Sequence, residues 1–309
     1  MAVTIDQIFA QQFGATLYTL AQQKESKFAS KVRRETVASA ELAYFDSIGA
    51  EDLPEQATTR HGDTPLSEPN FGRRKVMPYK WHRGTLLDEY DKARMMADPQ
   101  GPVVQGHAMS FGRKKDDLII TAALGTAYVG KTGATTITAL NNETGQIGID
   151  GDGTVTASET LPAAQTEVVM TLGKILLMSQ LFNEADVDPD IPKYWAVSPG
   201  CIKEMLDVTE ITSADYVTVK GLLNGKVDTF MGFNFFWTNR LTKDAAGSTC
   251  WRTIAWAQDG LLLAYIGDIK SRMTERADKC YSTQIYTEMD LGAVRMEEAK
   301  VRECLNLVS

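Results

Sequence analysis

Histidine is scarce in this sequence, and cysteine is sparse and scattered. Three histidines (His61, His82, His107) and four cysteines (Cys201, Cys250, Cys280, Cys304) stand among 309 residues. No two cysteines form a CxxC pair, so no zinc-ligand spacing can be built, and the thiols read as reduced and partly buried. No run of eighteen apolar residues exists, which excludes a membrane-spanning helix. Met1 to Gly14 lacks a basic stretch followed by an apolar one, so no secretory signal is expected. Neither GxSxG nor HExxH occurs. The acid pairs Asp116-Asp117 and Glu297-Glu298 are adjacent and point apart on any helix or strand, so they read as solvated or salt-bridged rather than as an acid/base couple. No catalytic residue, cofactor site or metal site is expected, and the chain is not expected to be an enzyme.

Basic residues are missing altogether from Thr132 to Gly173, where five acids stand: Glu143, Asp150, Asp152, Glu159 and Glu167. The opposite holds from Arg60 to Arg83. Six cations (Arg60, Arg73, Arg74, Lys75, Lys80, Arg83) face Asp63 and Glu68 there, a net of +4 in a chain of −8, so the remainder carries −12. One chain thus holds a basic loop and an acidic loop, which suits pairing between copies of itself; two solvated loops are the plainer reading. An acidic chain is a poor candidate for wrapping nucleic acid over its whole surface. Hydrophobic residues make up 43% and charged residues 23%, ordinary values for a soluble globular protein of one elaborated domain or two.

Residues 1–50 read as a helical arm. Ile5, Ile8, Phe9, Phe13, Leu17 and Leu20 recur at three- and four-residue spacing, with Thr4 as a candidate N-cap, and a second helical stretch follows through Phe28, Val32, Thr36 and Ala40. Residues 51–98 change character. Pro54, Pro65, Pro69 and Pro78, with Pro99 just beyond, forbid long helices, and the run from Arg73 to Arg83 fits a long hairpin. A long helix is expected over 102–129, stopped by Gly130 and Gly133, then strands and turns to 165 and a third helix from Thr166 to Glu184. Beyond Pro192 short strands alternate with helices: a strand at Tyr194, a helix from Gly200, a hairpin ending near Leu241, and strand-rich runs to Val308. The class is α+β.

Two motifs suggest chemistry. Gly125-TAYVGKT matches the phosphate-cradling pattern through Gly125, Gly130, Lys131 and Thr132, but Gly133 and the threonines after it make a poor helix, and a helix stop explains it as well. Gly148-IDGDGTVTASE places Asp150, Asp152, Gly153 and Glu159 at calcium-loop positions, but Gly148 stands where an acid should, and a Gly-Asp-Gly turn accounts for the same residues. Trp195, Trp237, Trp251 and Trp256 read as core and interface.

The order of these pieces resembles the major capsid protein of tailed bacteriophages, the Hong Kong 97-type fold. Gly62-DTP with Lys80-WHRGTLLDEYDKARMMADP is similar to its extended loop and return, and Phe111-GRKKDDLIITAALGTA to its spine helix. Lys193-YWAVSPGCIKEML and Gly225-KVDTFMGFNFFWTNRL resemble its axial domain, and Leu291-GAVRMEEAKVRECL its closing strands. The resemblance implies an arm at 1–50, an extended loop at 51–98, a peripheral domain with the spine helix at 99–189, an axial domain at 190–270 and a return to the peripheral domain at 271–309. It further implies a structural protein whose copies form hexamers and pentamers of an icosahedral shell around double-stranded DNA, held without sequence specificity. The expected partners are the chain itself, a separate scaffolding protein, a portal and a decoration protein, with no membrane; the expected place is the virion capsid, assembled in the host cytoplasm. The separate scaffold is expected because an arm-like helix already begins near Ile5; a processed form of the chain is the alternative, and Met1 favours the separate scaffold. Arg60, Arg73, Arg74, Lys75, Lys80 and Arg83 are the candidate inter-subunit contacts, with DNA as the rival partner. Two other functions compete: an NTP-binding enzyme built on Gly125 to Thr132, and a nanocompartment shell of the same fold enclosing cargo, as in encapsulins.

Overall fold

The structure, a computed structural model, describes residues 21–37, 41–49, 51–54, 56, 66, 68–90, 100–137, 146–149, 155–156, 169–207, 229–243 and 250–307. These fall into two compact units. The described parts of Met1–Ser26, Lys80–Lys114 and Gly267–Asp290 make the first; those of Lys27–Tyr79, Lys115–Ile266 and Leu291–Ser309 make the second.

The second unit is built on a seven-stranded sheet. Its strands, in sequence order, are β7 (Gln146–Ile149), β8 (Val155–Thr156), β9 (Lys193–Val197), β10 (Thr229–Phe230), β11 (Phe233–Trp237), β12 (Cys250–Ala257) and β15 (Val301–Leu307), hydrogen-bonded in the order β10-β11-β9-β12-β15-β7-β8. Successive side chains of a strand alternate between faces, and both faces here are covered. On one side Trp195, Val197, Phe233 and Phe235 pack with Ile175, Met178 and Phe182 of helix α2 (Leu172–Glu184) and with Cys201 and Met205 of α3 (Pro199–Asp207). On the other, Ala196, Ile254, Trp256 and Val301 pack with Ile119, Ile120, Ala123 and Leu124 of α1 (Gln100–Leu124) and with Phe28.

Several elements begin or end away from their expected places. The helix expected up to Leu20 lies outside the described residues. The one expected from Phe28 to Ala40 is not formed. Lys31 N donates to Phe28 O at 2.8 Å, closing a turn, and β1 (Arg33–Thr36) then pairs in parallel with Leu262–Tyr265 of β13 (Leu261–Arg276). The turn sends Phe28 and Val32 into one core, which mimics the spacing of a helix. The long helix ends at Leu124, not near Val129, because Ala127–Val129 becomes strand β5. Its last carbonyls are held by buried Arg295, whose Nη1 donates to Ala123 O at 2.8 Å and Gly125 O at 3.0 Å. Helix α2 starts at Leu172, not Thr166, where the Thr171 hydroxyl accepts from Lys174 N.

The run from Arg73 to Arg83 does not fold as one hairpin. Pro78 separates β3 (Phe71–Val76) from β4 (Tyr79–Leu87), and the two strands join different sheets. The long hairpin is instead formed by β2 (Ala43–Ile48) with β3, in register from Ala43↔Val76 to Ile48↔Phe71. β5 and β6 (Thr135–Ile137) extend that sheet in the order β2-β3-β5-β6. The strands of that hairpin begin at Ala43 and end at Val76.

In the first unit β4, the later part of β13 and the earlier part of β14 (Ser282–Arg295) are hydrogen-bonded in the order β13-β14-β4. Buried His107, on the earlier part of α1, lies between Thr85 Oγ1 at 2.8 Å and Thr287 Oγ1 at 3.1 Å. Loss of solvation, then the charge of Arg83, pushes its imidazole below the ordinary value.

Candidate assembly surface

The pairing of β2 with β3 continues to Gly49, whose N donates to Asn70 O at 2.7 Å. The hairpin carries large apolar side chains that the described body does not cover. Ile48 is 64% exposed, Phe71 68%, Leu53 89% and Leu66 94%. Exposed apolar groups gathered on one element mark contact sites more often than single scattered ones do.

Charge divides this hairpin lengthwise. Residues 49–70 hold five acids (Glu51, Asp52, Glu55, Asp63, Glu68) against Arg60, a net of −4, while Arg73, Arg74 and Lys75 stand together on β3. In sequence, then, the acidic connection between the two strands, the tip, is followed by a basic root on β3. At the root, Arg73 Nη2 donates to Asp46 Oδ2 at 2.9 Å, and these bonds hold the Asp46 carboxyl below its ordinary value. Lys131 lines a cleft there with Arg73, Phe71 and Gly130. Lys75 lays its stem against Gly133, whose φ of +65° and lack of a Cβ both matter: an added Cβ would stand 2.2 Å from Lys75 Cδ.

The six candidate cations are divided between the two units and the residues not described. Arg60 lies outside the described residues. Arg73, Arg74 and Lys75 belong to the second unit, Lys80 and Arg83 to the first. Arg74 is buried, its Nε donating to Met296 O at 2.8 Å and its Nη2 to Glu298 Oε2 at 2.6 Å. Lys80 pairs with Glu288 at 2.7 Å, a hydrogen bond that raises its pKa. Arg83 Nη1 reaches Ser110 Oγ at 3.5 Å.

The acid pairs are salt-bridged or buried. Asp117 holds Arg240 through both oxygens at 2.5 Å, and Glu297 meets Lys300 at 3.0 Å. Buried Asp116 accepts the backbone N–H groups of Lys27 and Phe28, each at 3.2 Å. That role, and those of Arg295 and of Lys174, whose buried ammonium donates to Leu305 O at 2.7 Å and Asn306 Oδ1 at 3.0 Å, had no signal in the local sequence. The phosphate-loop pattern lacks its context: α1 precedes Gly125, and a turn at Gly133 followed by β6, not a helix, comes after Thr132. Of the calcium-loop pattern, Asp150, Asp152, Gly153 and Glu159 lie outside the described residues, as do Glu143 and Glu167. Among the described residues no group of three metal-ligating side chains is found, and no helix is long and apolar enough to cross a membrane.

A family model described as phage capsid protein matches residues 5–308. The chain belongs to that family. Its fold is shared with solved phage capsids. The capsid of cyanophage P-SCSP1u is 15% identical, with a TM-score of 0.72, over 100% of this chain and 96% of that one. The Cyanophage Pam1 capsid is 13% identical, at 0.71, over 99% and 98%. A structure from Mycobacterium phage Che8 is 12% identical, at 0.69, over 97% and 98%. No match is found among curated proteins. The capsid protein thus has the α+β, Hong Kong 97-type fold, and neither the NTP-binding enzyme nor the cargo-enclosing shell finds support.

Proposed function

We propose that this capsid protein is the shell-forming subunit, whose copies join as hexamers and pentamers and close into an icosahedral shell around double-stranded DNA in the host cytoplasm. The observation that carries the reading is the β2–β3 hairpin, which displays Ile48, Leu53, Leu66 and Phe71 on an element too thin to bury them. Its acidic tip and basic root are complementary, so the tip of one copy suits the root of the next. Such a head-to-tail contact generates rings when its rotation closes. Arg73 and Lys75 are the root cations placed for it, whereas Arg74 supports the root from within.

The remaining division follows from the same reading: a terminal arm, a peripheral domain containing α1, an axial domain around β9–β12, and closing strands. A scaffolding protein, a portal and a decoration protein are the outside partners, and DNA is held without sequence specificity. The chain performs no catalysis; Lys131→Ala should leave ATP binding, measured by calorimetry, at background for both proteins.

Electron microscopy of the purified protein tests the reading. Rings or closed particles are expected, together with their loss in Arg73→Glu/Lys75→Glu even when no DNA is present. Small discrete oligomers under all conditions would overturn it.

A further inference from the structure

The first unit holds a pocket of about 180 Å³ lined by Trp81, His82, Arg83, Ser110, Phe111 and Lys114. Trp81 and Arg83 are two apart on β4 and share a face of the strand. Ser110 and Lys114 are one turn apart on α1 and share a face of the helix. Strand and helix therefore each direct one cation and one neutral donor to the same place. Lys114 Nζ stands 3.7 Å from the centroid of the Trp81 ring, and Arg83 Nη1 is 3.5 Å from Ser110 Oγ.

Three donors in this pocket have no anionic partner among the described residues. Neither Arg83 nor Lys114 has a carboxylate partner among the described residues, although the chain as a whole is acidic. The Trp81 indole N–H is buried with no acceptor among them, and a buried indole N–H usually finds one. No acid lines the pocket. By contrast Lys80, next on the strand, is paired with Glu288, so the missing partners are a property of this site and not of the whole strand.

We propose that this pocket binds phosphate, as a free anion or as a group of a nucleic-acid backbone. A guanidinium, an ammonium, a hydroxyl and an indole N–H are donors only or can act as donors, and together they outnumber the two oxygens of a side-chain carboxylate. Arginine offers a planar fork to two phosphate oxygens, lysine a point charge, and serine a short hydroxyl, the set that proteins commonly direct at phosphates. The rings of Phe111 and Trp81 supply an apolar wall against which a sugar can rest. Lys114 has a flexible stem, so it can swing from the face of Trp81 to one oxygen while the indole N–H donates to another. One such site is weak, but many copies on one polyanion act together.

The test uses the full chain with two probes, inorganic phosphate and a fluorescent 20-base-pair duplex. Binding of the duplex is followed by anisotropy across a salt series, and binding of phosphate by its effect on the melting temperature. Arg83→Ala/Lys114→Ala should weaken the duplex at low salt by tenfold or more and make the salt dependence shallower by about one phosphate's worth. Trp81→Phe keeps the ring and should weaken binding about threefold, in line with a lost hydrogen bond. Lys270→Ala/Lys279→Ala removes two exposed cations elsewhere in the unit and should cost less than threefold. Phosphate should raise the melting temperature of the parent chain and not of Arg83→Ala/Lys114→Ala. Duplex binding that survives in that variant while the phosphate effect is lost would make the free anion the ligand. An equal loss in the Lys270/Lys279 control, or no response to either probe in the parent chain, would overturn the proposal. So would failure of Arg83→Ala/Lys114→Ala to assemble without DNA while phosphate has no effect on the parent, since the partner would then be a carboxylate of a second copy. Should the double variant melt early, Lys114→Gln with Trp81→Phe decides the same question.

Discussion

In the seven-stranded sheet Trp195, Trp256, Phe233 and Ile254 are sealed from solvent, whereas on the β2–β3 hairpin Ile48, Leu53, Leu66 and Phe71 all stand more than half exposed. Burying one such side chain is worth about 1.5–3 kcal/mol. The sheet gains that stabilisation within one chain, and the hairpin forgoes it until something else covers it. The two regions also differ in polar bonding. Beneath the sheet, buried Thr253 accepts from Trp195 Nε1 at 3.3 Å and from Asn306 Nδ2 at 2.8 Å. On the hairpin, Arg73 and Asp46 meet in water. On the proposed reading one region serves folding and the other association, and substitutions should separate the two.

The largest effect on folding is expected in the sheet. Trp195→Ala removes a fully buried ring that stacks on Phe235 and meets Phe233 edge-on. It should cost about 3–5 kcal/mol in chemical denaturation. A cost below about 1 kcal/mol would erase the contrast between the two regions. Next comes Asp116→Ala, which strands two backbone N–H groups that are otherwise satisfied. A lost partner to a buried donor costs about 1–3 kcal/mol, so a loss of about 2 kcal/mol or more is expected, with Asp116→Asn falling between it and the parent chain. Asp116 lies under the sheet with Phe28, so this result also measures how firmly residues 27–28 are held.

Leu53→Ser with Leu66→Ser should behave in the opposite way. Surface substitutions of this kind move stability by less than about 0.5 kcal/mol. Melting of the unassembled chain should therefore hardly change, while particle yield seen by electron microscopy should collapse. Normal particles from this variant would show that the tip leucines are ordinary exposed residues, and an early melt would show that they belong to the folded body.

What could be read in advance follows the same divide. β9, α3, and the strands from Cys250 to Leu307 were legible because their boundaries are local: Pro192, Pro199, Gly260 and the turn at Ala277–Lys279. The order of pieces also carried the family. The hairpin was displaced in the reading because its first strand, Ala43–Ile48, is defined by a partner that begins at Phe71, beyond the tip. Summing charge from Arg60 to Arg83 mixed part of an acidic tip with a basic root and with residues of another unit. Arg74 looked like a surface cation because its partners, Met296 and Glu298, lie 222 and 224 residues away. Asp116 was hidden for the same reason, since the amides it holds are 89 and 88 residues distant. Buried polar bonds between distant segments leave no periodic mark.

The smallest expected effect concerns the hairpin's own ion pair. Hydrogen bonds from Arg73 hold the Asp46 carboxyl below its unfolded value. A carboxyl shifted down contributes stability that is fully present above the unfolded pKa, about 3.9, and is lost as pH falls through the lower folded value. Both groups are exposed, so water and salt screen the pair and its contribution to folding is slight. The acid limb of a melting curve below about pH 4 should be a little flatter in Asp46→Asn than in the parent chain, with no difference at pH 7 beyond the lost pair. Assembly makes the opposite demand. If the root receives the acidic tip of another copy, Asp46 competes with that tip for Arg73, and its neutralisation frees the guanidinium. Asp46→Asn should then form particles at higher salt than the parent chain does, measured by light scattering across a salt series. A lower salt limit would mean that Arg73 serves its own hairpin alone, and the basic root would have to act through Lys75 and Lys131.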